Sequence, residues 1–110
     1  MEPTNAGPVP APRDLAGMLA YQEGAVVSRV LLKNTGGNVT LFAFAAGEGL
    51  SEHTAPFDAL VIVLEGAAEV TIDGVAHRLT AGQTITMPAH RPHALRAVEA
   101  FKMLLVMLRS

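Results

Sequence analysis

The chain has 110 residues, half of them hydrophobic, and a formal net charge of -2. This length and composition favour one domain with a hydrophobic core, and the small negative charge argues against nucleic acid as a main partner. No cysteine is present, which excludes thiolate catalysis, iron–sulfur clusters and structural zinc sites of the cysteine type.

The N-terminal residues differ in composition from the rest of the chain. Residues 1–13 hold four of the seven prolines and almost no apolar pattern, which predicts a flexible tail. Within residues 14–24, Asp14 is placed to cap a short helix that ends near Tyr21. Neither a signal peptide nor an apolar run long enough to span a bilayer is found, so we expect a cytoplasmic protein that does not bind membranes.

From residue 25 onward, short β-branched or alternating segments are separated by turn residues. The segments are AVVSRVLLK, NVTLFAFAA, ALVIVLEG, AAEVTIDG, VAHRLTAG, QTITMPAH, HALRAVEA and FKMLLVMLRS. Asp73-Gly74 is the best hairpin signal among the turns, because both residue types tolerate the positive φ of a tight turn. Regular short strands with such turns predict an all-β sandwich or barrel over residues 25–110.

Two of the predicted strands are apolar on both faces. Residues 59–64 and 103–108 are all aliphatic or methionine, whereas a half-exposed antiparallel strand alternates between polar and apolar residues. A second layer must therefore cover the outer side of the sheet. We expect a homodimer through a sheet face. The alternatives are the N-terminal segment folding back and an intrachain sandwich core.

The histidines are the main candidates for chemistry, and two of them stand beside predicted strands. His53 precedes one strand and His93 opens another, and histidines at the mouths of two strands of one barrel can meet inside it. His77 falls on the exposed face of a hairpin strand, and His90 occupies a turn. The pair His53 and His93 is therefore the candidate site.

Both histidines lie in segments framed by glycine or proline. The first segment starts at Gly47, reaches His53 after five residues and closes at Gly66; the second starts at Gly82 and passes Pro88 before His93. The spacing resembles the two motifs of the cupins. The resemblance covers about residues 25–110 and implies a double-stranded β-helix, or jelly roll, of the RmlC-like type.

The resemblance is closer for the fold than for the chemistry. In the first motif Ala55 stands at the second histidine position and Ala59 at the glutamate position. In the second motif His90 replaces a glycine and Ala97 replaces an asparagine. Of the four metal-ligand positions, only those of His53 and His93 carry a donor.

The resemblance permits a divalent metal ion, such as Zn, Fe, Mn or Ni, held by His53 and His93. Two imidazoles leave such an ion mostly with water ligands, so its affinity is expected to be low. Asp58 and His90 are weaker candidates for additional ligands. Asp58 lies on the opposite face by strand parity, unless the bend at Pro56 breaks that parity. A pair of histidines that binds no metal is the slightly favoured alternative.

The residues that share a side of the strand with His53 predict an apolar wall. The favoured function is the binding of a small molecule in an apolar pocket with two histidines at its mouth. The predicted pocket residues are His53, Ala55, Phe57, Ala59, Val61 and His93. The alternatives are a metal-dependent enzyme of the dioxygenase or isomerase type, as the resemblance implies, and a non-catalytic dimeric sensor or scaffold. No catalytic residue is identified, because this fold carries many functions.

Overall fold

The computed structural model describes residues 10–109, which form nine strands in two antiparallel sheets. The strands are β1 (Val26–Asn34), β2 (Gly37–Phe44), β3 (Gly49–His53), β4 (Phe57–Glu65), β5 (Ala67–Ile72), β6 (Val75–Thr80), β7 (Thr84–Met87), β8 (His93–Ala97) and β9 (Phe101–Arg109). The large sheet has the order β1-β2-β9-β4-β7 and the small sheet the order β3-β8-β5-β6. The predicted all-β jelly roll is confirmed.

Each predicted strand segment overlaps one of these strands, and β3 is an additional strand that the sequence pattern did not indicate. His53 is therefore the last residue of a strand and not only a residue that precedes one. Most of the predicted tail, residues 1–9, lies outside the described residues. Within the described part of the chain, no helix is long and apolar enough to cross a membrane.

The predicted N-terminal helix is wrong in its length and its cap. Only a 3₁₀ helix, Ala16–Met18, forms, and no side chain caps it. Its carbonyl oxygens accept hydrogen bonds from the barrel: Lys102 Nζ donates to the Ala16 oxygen (2.6 Å) and Arg29 donates to the Met18 oxygen (3.3 Å). These tertiary hydrogen bonds replace the helical ones that a longer helix would make.

The hairpin predicted at Asp73-Gly74 is confirmed. Asp73 has a φ of 50° and Gly74 a φ of 78°, and Ile72 pairs with Val75 across the turn between β5 and β6. The turn is also attached to the loop before β8. The Asp73 carboxylate forms an ion pair with Arg91, and the backbone amide of Asp73 donates a hydrogen bond to the carbonyl oxygen of Pro92 (2.9 Å). The hairpin thus helps to position the start of β8, where His93 lies.

The core between the sheets is closed by aromatic rings at one end. Phe44 and Phe101 are fully buried and stack with 4.4 Å between ring centroids. The inward residues of β9 then lead from Phe101 past Met103 towards Leu105 and Met107 at the other end. At that other end lie the histidines and a cavity.

The outward face of the large sheet is only partly covered. Leu41 and Ala43 are fully buried there although they lie outside the core cluster, and the N-terminal segment docks beside them through Lys102, the cross-strand partner of Ala43. At the opposite end of the same face Leu32 is 65% exposed and Leu108 is 58% exposed. The folding back of the N-terminal segment thus covers part of this face and leaves another part open.

Tyr21 holds the N-terminal segment against the barrel, and ionisation of the Tyr21 hydroxyl is expected to detach this segment. Its hydroxyl donates to Glu65 (2.6 Å), and Lys102 Nζ lies 5.0 Å from its ring centroid. Burial, the hydrogen bond and the charge of Glu65 raise the pKa of Tyr21 above its ordinary value of 10.0. Because the pKa is raised by folding, this contribution to stability is complete below pH 10.0 and is lost as the pH rises through the raised pKa.

The chain has one tyrosine and no tryptophan, so the absorbance of tyrosinate reports on Tyr21 alone. We expect the folded protein to titrate at higher pH than the denatured protein, and Glu65→Gln to lower the pKa towards the ordinary value. Tyr21→Phe should remove this part of the alkaline loss of stability while it keeps the ring beside Lys102. Equal titration curves for the folded and denatured protein would contradict the assignment.

Candidate functional site

Strand register brings His53 and His93 together. The strands β3 and β8 are antiparallel neighbours, and His53 stands directly opposite His93. The two Nε2 atoms are 3.1 Å apart, and the rings meet edge to face with 4.4 Å between their centroids. Because both histidines lie at strand ends, the pair is located at the mouth of the barrel.

The backbone determines which nitrogen of each ring carries a proton. His53 Nδ1 lies 2.8 Å from the Ser51 carbonyl oxygen, and His93 Nδ1 lies 3.2 Å from the Arg91 carbonyl oxygen. A carbonyl oxygen only accepts hydrogen bonds, so each Nδ1 donates its proton. Each Nε2 of a neutral ring therefore presents a lone pair to the other, and a single cation between them relieves the repulsion.

The two rings differ in their surroundings. His93 is only 5% exposed, whereas His53 is exposed at the mouth. Burial lowers the pKa of His93, and the charge of a protonated His53 lowers it further, although the hydrogen bond to the Arg91 oxygen opposes both effects. The doubly protonated pair is therefore disfavoured, which agrees with the 3.1 Å between the Nε2 atoms.

A cavity of about 50 Å³ lies between the sheets beneath the pair. Apart from the two imidazoles, its walls are apolar side chains. The lining residues are Leu50, His53, Ala55, Phe57, Ala59, Met87, His93, Leu95, Leu105 and Met107.

Five of the six predicted pocket residues line this cavity. The exception is Val61, which is fully buried in the core. The lining residues that the sequence did not identify come from strands other than β4. Met87 and Met107, for example, are both cross-strand partners of Ala59. The apolar character of these strands is visible in the sequence, but the pairing that brings them around one cavity is not.

The other candidate ligands lie elsewhere. Asp58 pairs with Leu108 on the outward face, as parity predicted, and its carboxylate accepts a hydrogen bond from the Ala89 amide (2.9 Å). His90 is exposed in a turn with a φ of 66° and does not line the cavity. His77 is exposed on β6. Residues 10–109 contain no group of three or more histidine, aspartate or glutamate residues that could hold a metal ion.

The donor set therefore does not fit the divalent metal site that the cupin motifs describe. Ala55 and Ala59 occupy two of its four ligand positions, and both line the cavity. No carboxylate approaches the histidine pair to balance the charge of a divalent ion. Within the described residues, the donors of the family pattern are thus reduced to two imidazoles.

Comparisons with known proteins agree with this architecture. A family model described as a cupin domain matches residues 40–108. A conserved protein of unknown function from Streptococcus pyogenes is 39% identical with a TM-score of 0.89, over 100% of this chain and 96% of that one. A cupin superfamily protein from Desulfitobacterium hafniense is 33% identical with a TM-score of 0.88, over 94% of both chains.

A cupin 2 conserved barrel domain protein from Leptotrichia buccalis is 40% identical with a TM-score of 0.84, and the match covers 86% of this chain and 46% of that one. No functionally curated protein sequence matches the chain. The family model spans most of the barrel, and two of these structures exceed 30% identity over nearly the whole chain. The chain therefore belongs to the cupin family.

Proposed function

We propose that the protein binds a small molecule that has an apolar body and one hydrogen-bonding group. The main support for this proposal is the cavity, which is lined by apolar side chains apart from the two imidazoles at its mouth. The apolar body would contact Ala59, Leu105 and the methionines, and the polar group would meet Nε2 of His53 or His93. A few convergent polar groups in an apolar cleft are typical of ligand sites.

Size and charge restrict the ligand class. The cavity volume of about 50 Å³ is well below the ~300–1,000 Å³ of typical small-molecule sites, which restricts the ligand to a very small molecule. No carboxylate lines the cavity, so an organic cation, which forms no coordinate bonds, would lack a counter-charge, and burying it would be costly. Because each Nε2 of the neutral pair presents a lone pair, we expect a neutral molecule whose polar group donates a hydrogen bond, such as a hydroxyl, phenolic or amide N–H group. The alternative function, a metal-dependent enzyme, would need a tightly held divalent ion. The absence of two of the family's metal ligands argues against such an ion.

Ligand binding is tested by thermal unfolding in the presence of small alcohols, phenols and amides. A ligand at about 100 times its Kd should stabilise the protein by about 2.7 kcal/mol. Ala59→Leu fills the cavity and should abolish that shift, measured relative to the variant without ligand. Ala76→Leu, the same change at an exposed position of β6, is the matched control and should keep the shift. If no compound shifts the wild-type protein, or the shift persists in Ala59→Leu, the proposal is wrong.

We also propose that two copies associate through the open part of the large sheet. The outer patch consists of Leu32, Val39, Val106 and Leu108 and is formally uncharged. Exposed aliphatic surface of this kind favours association. Arg29 and Asp58 lie on the same face and have opposite signs, so a symmetric contact need not bring like charges together.

The edge of the same sheet supports a second copy as the partner. The nine residues of β1 form an edge strand, and its Val30 is 56% exposed. Long edge strands with exposed apolar side chains promote self-association unless they are covered. A two-fold contact would cover the same patch on both copies at once. Substitution of Leu108, which lies in this patch, tests the contact.

A further inference from the structure

The alanines at two ligand positions leave a cavity whose donor atoms are nitrogen and sulfur. Ala59 stands between Met87 of β7 and Met107 of β9, which are its cross-strand partners on either side. Both methionines line the cavity together with His53 and His93. The lining residues thus supply two imidazole nitrogens and two thioether sulfurs, and no carboxylate.

The geometry of the histidine pair suits chelation of one ion. Both Nδ1 atoms donate to backbone carbonyls, so both Nε2 lone pairs are directed into the space between the rings. With metal–nitrogen bonds of about 2.0 Å, the observed 3.1 Å between the Nε2 atoms corresponds to an angle of about 100° at the ion. This angle is far from linear, and it leaves room for one or two further ligands in a three- or four-coordinate ion. The thioethers of the cavity wall are the available donors.

The charge and the polarisability of these donor atoms determine which metal ion the cavity would prefer. Neutral imidazoles and thioethers contribute no negative charge, so a divalent ion would leave two uncompensated charges in an apolar cavity, whereas a monovalent ion leaves one. Thioether sulfur prefers Cu(I), whereas Mn and similar hard ions prefer carboxylate and water ligands. Methionine is also flexible enough to turn its sulfur towards a bound ion.

We propose that this cavity is a site for Cu(I), held by Nε2 of His53 and His93 and by the sulfur atoms of Met87 and Met107. The site differs from the family's divalent pattern by replacing the missing nitrogen and oxygen ligands with sulfur. The site shares both Nε2 atoms with the proposed small-molecule site, so the two ligands would compete, but neither proposal requires the other: a protein that binds no organic ligand can still bind Cu(I), and the converse also holds.

The test is an anaerobic titration of the full chain with Cu(I) in competition with a chromophoric Cu(I) chelator. We expect one equivalent to bind, and Zn(II), measured separately, to bind at least about tenfold more weakly. Met87→Leu and Met107→Leu remove sulfur with little change in volume and should each weaken Cu(I) binding about tenfold or more. Met103→Leu is the matched control, because Met103 is fully buried and does not line the cavity; its affinity should equal that of the wild type.

X-ray absorption of the wild-type Cu(I) complex gives a measurement that does not depend on any variant's folding. Sulfur in the first coordination shell together with imidazole nitrogen supports the site. A shell without sulfur, unchanged Cu(I) affinity in both methionine variants, or equal affinity for Zn(II) would overturn it. His53→Ala and His93→Ala should each abolish stoichiometric binding, and retention of that binding in either variant would overturn it as well.

Discussion

Gly66→Ala is expected to lower the free energy of unfolding by about 3 kcal/mol or more. Gly66 has a φ of 79°, and a Cβ built there would lie 2.0 Å from the Ala100 carbonyl oxygen and 2.8 Å from Cα of Phe101. The clash is with backbone atoms, so no rotamer change relieves it. The strand β9 would have to shift away from the turn between β4 and β5, which would disturb the stacked ring of Phe101.

Gly74→Ala is the matched control for this prediction. Gly74 has nearly the same φ, 78°, but nothing lies within 4 Å of its hypothetical Cβ. Its substitution should cost only the backbone strain of the left-handed region, about 1–2 kcal/mol. Urea unfolding of the two variants separates the free-energy cost of backbone strain from the cost of the steric clash with β9. Equal losses would show that the close approach of Gly66 to β9 does not contribute.

Leu108→Asp is expected to convert the proposed dimer into a monomer. Leu108 is 58% exposed at the outer patch, and its replacement would place two symmetry-related carboxylates in an apolar contact, where unpaired charges are strongly unfavourable. Analytical ultracentrifugation over a range of protein concentrations measures the change. We expect the wild type to sediment as a dimer and the variant as a monomer with an unchanged circular dichroism spectrum.

Val75→Asp is the control for this second prediction. Val75 is also 58% exposed, but it lies on β6 at the edge of the small sheet, away from the outer patch. This variant should remain a dimer. A monomeric wild type at every concentration, or a dimeric Leu108→Asp variant, would contradict the proposed interface.

Much of the fold follows from local signals in the sequence. The glycines and the Asp73-Gly74 turn divide the chain into short segments typical of an all-β fold, and each predicted segment overlaps one strand. The exceptions have non-local causes. The strand β3 (GLSEH) has little apolar alternation and is defined by its pairing with β8. The predicted N-terminal helix is shortened because its carbonyl groups bond to Lys102 and Arg29 of the barrel.

The site was predictable to a smaller extent. Motif spacing placed His53 beside His93, and parity placed Asp58 on the outward face. Methionine from other strands was expected as a possible lining residue, but Met87 and Met107 were not singled out, because a strand's own sequence does not show which other strand it pairs with. Nor does the sequence indicate that the carbonyls of Ser51 and Arg91 hold both Nδ1 protons.

The arrangement of the core has a consequence for how this barrel can evolve. The stacked rings of Phe44 and Phe101 lie at one end of the inward row of β9, and the cavity residues Leu105 and Met107 lie at the other. Since distant substitutions usually act additively, the cavity end can accumulate changes without loosening the aromatic end. Ligand preference can therefore change at the cavity end, where Ala55 and Ala59 stand at two ligand positions of the family pattern, without repacking of the aromatic end.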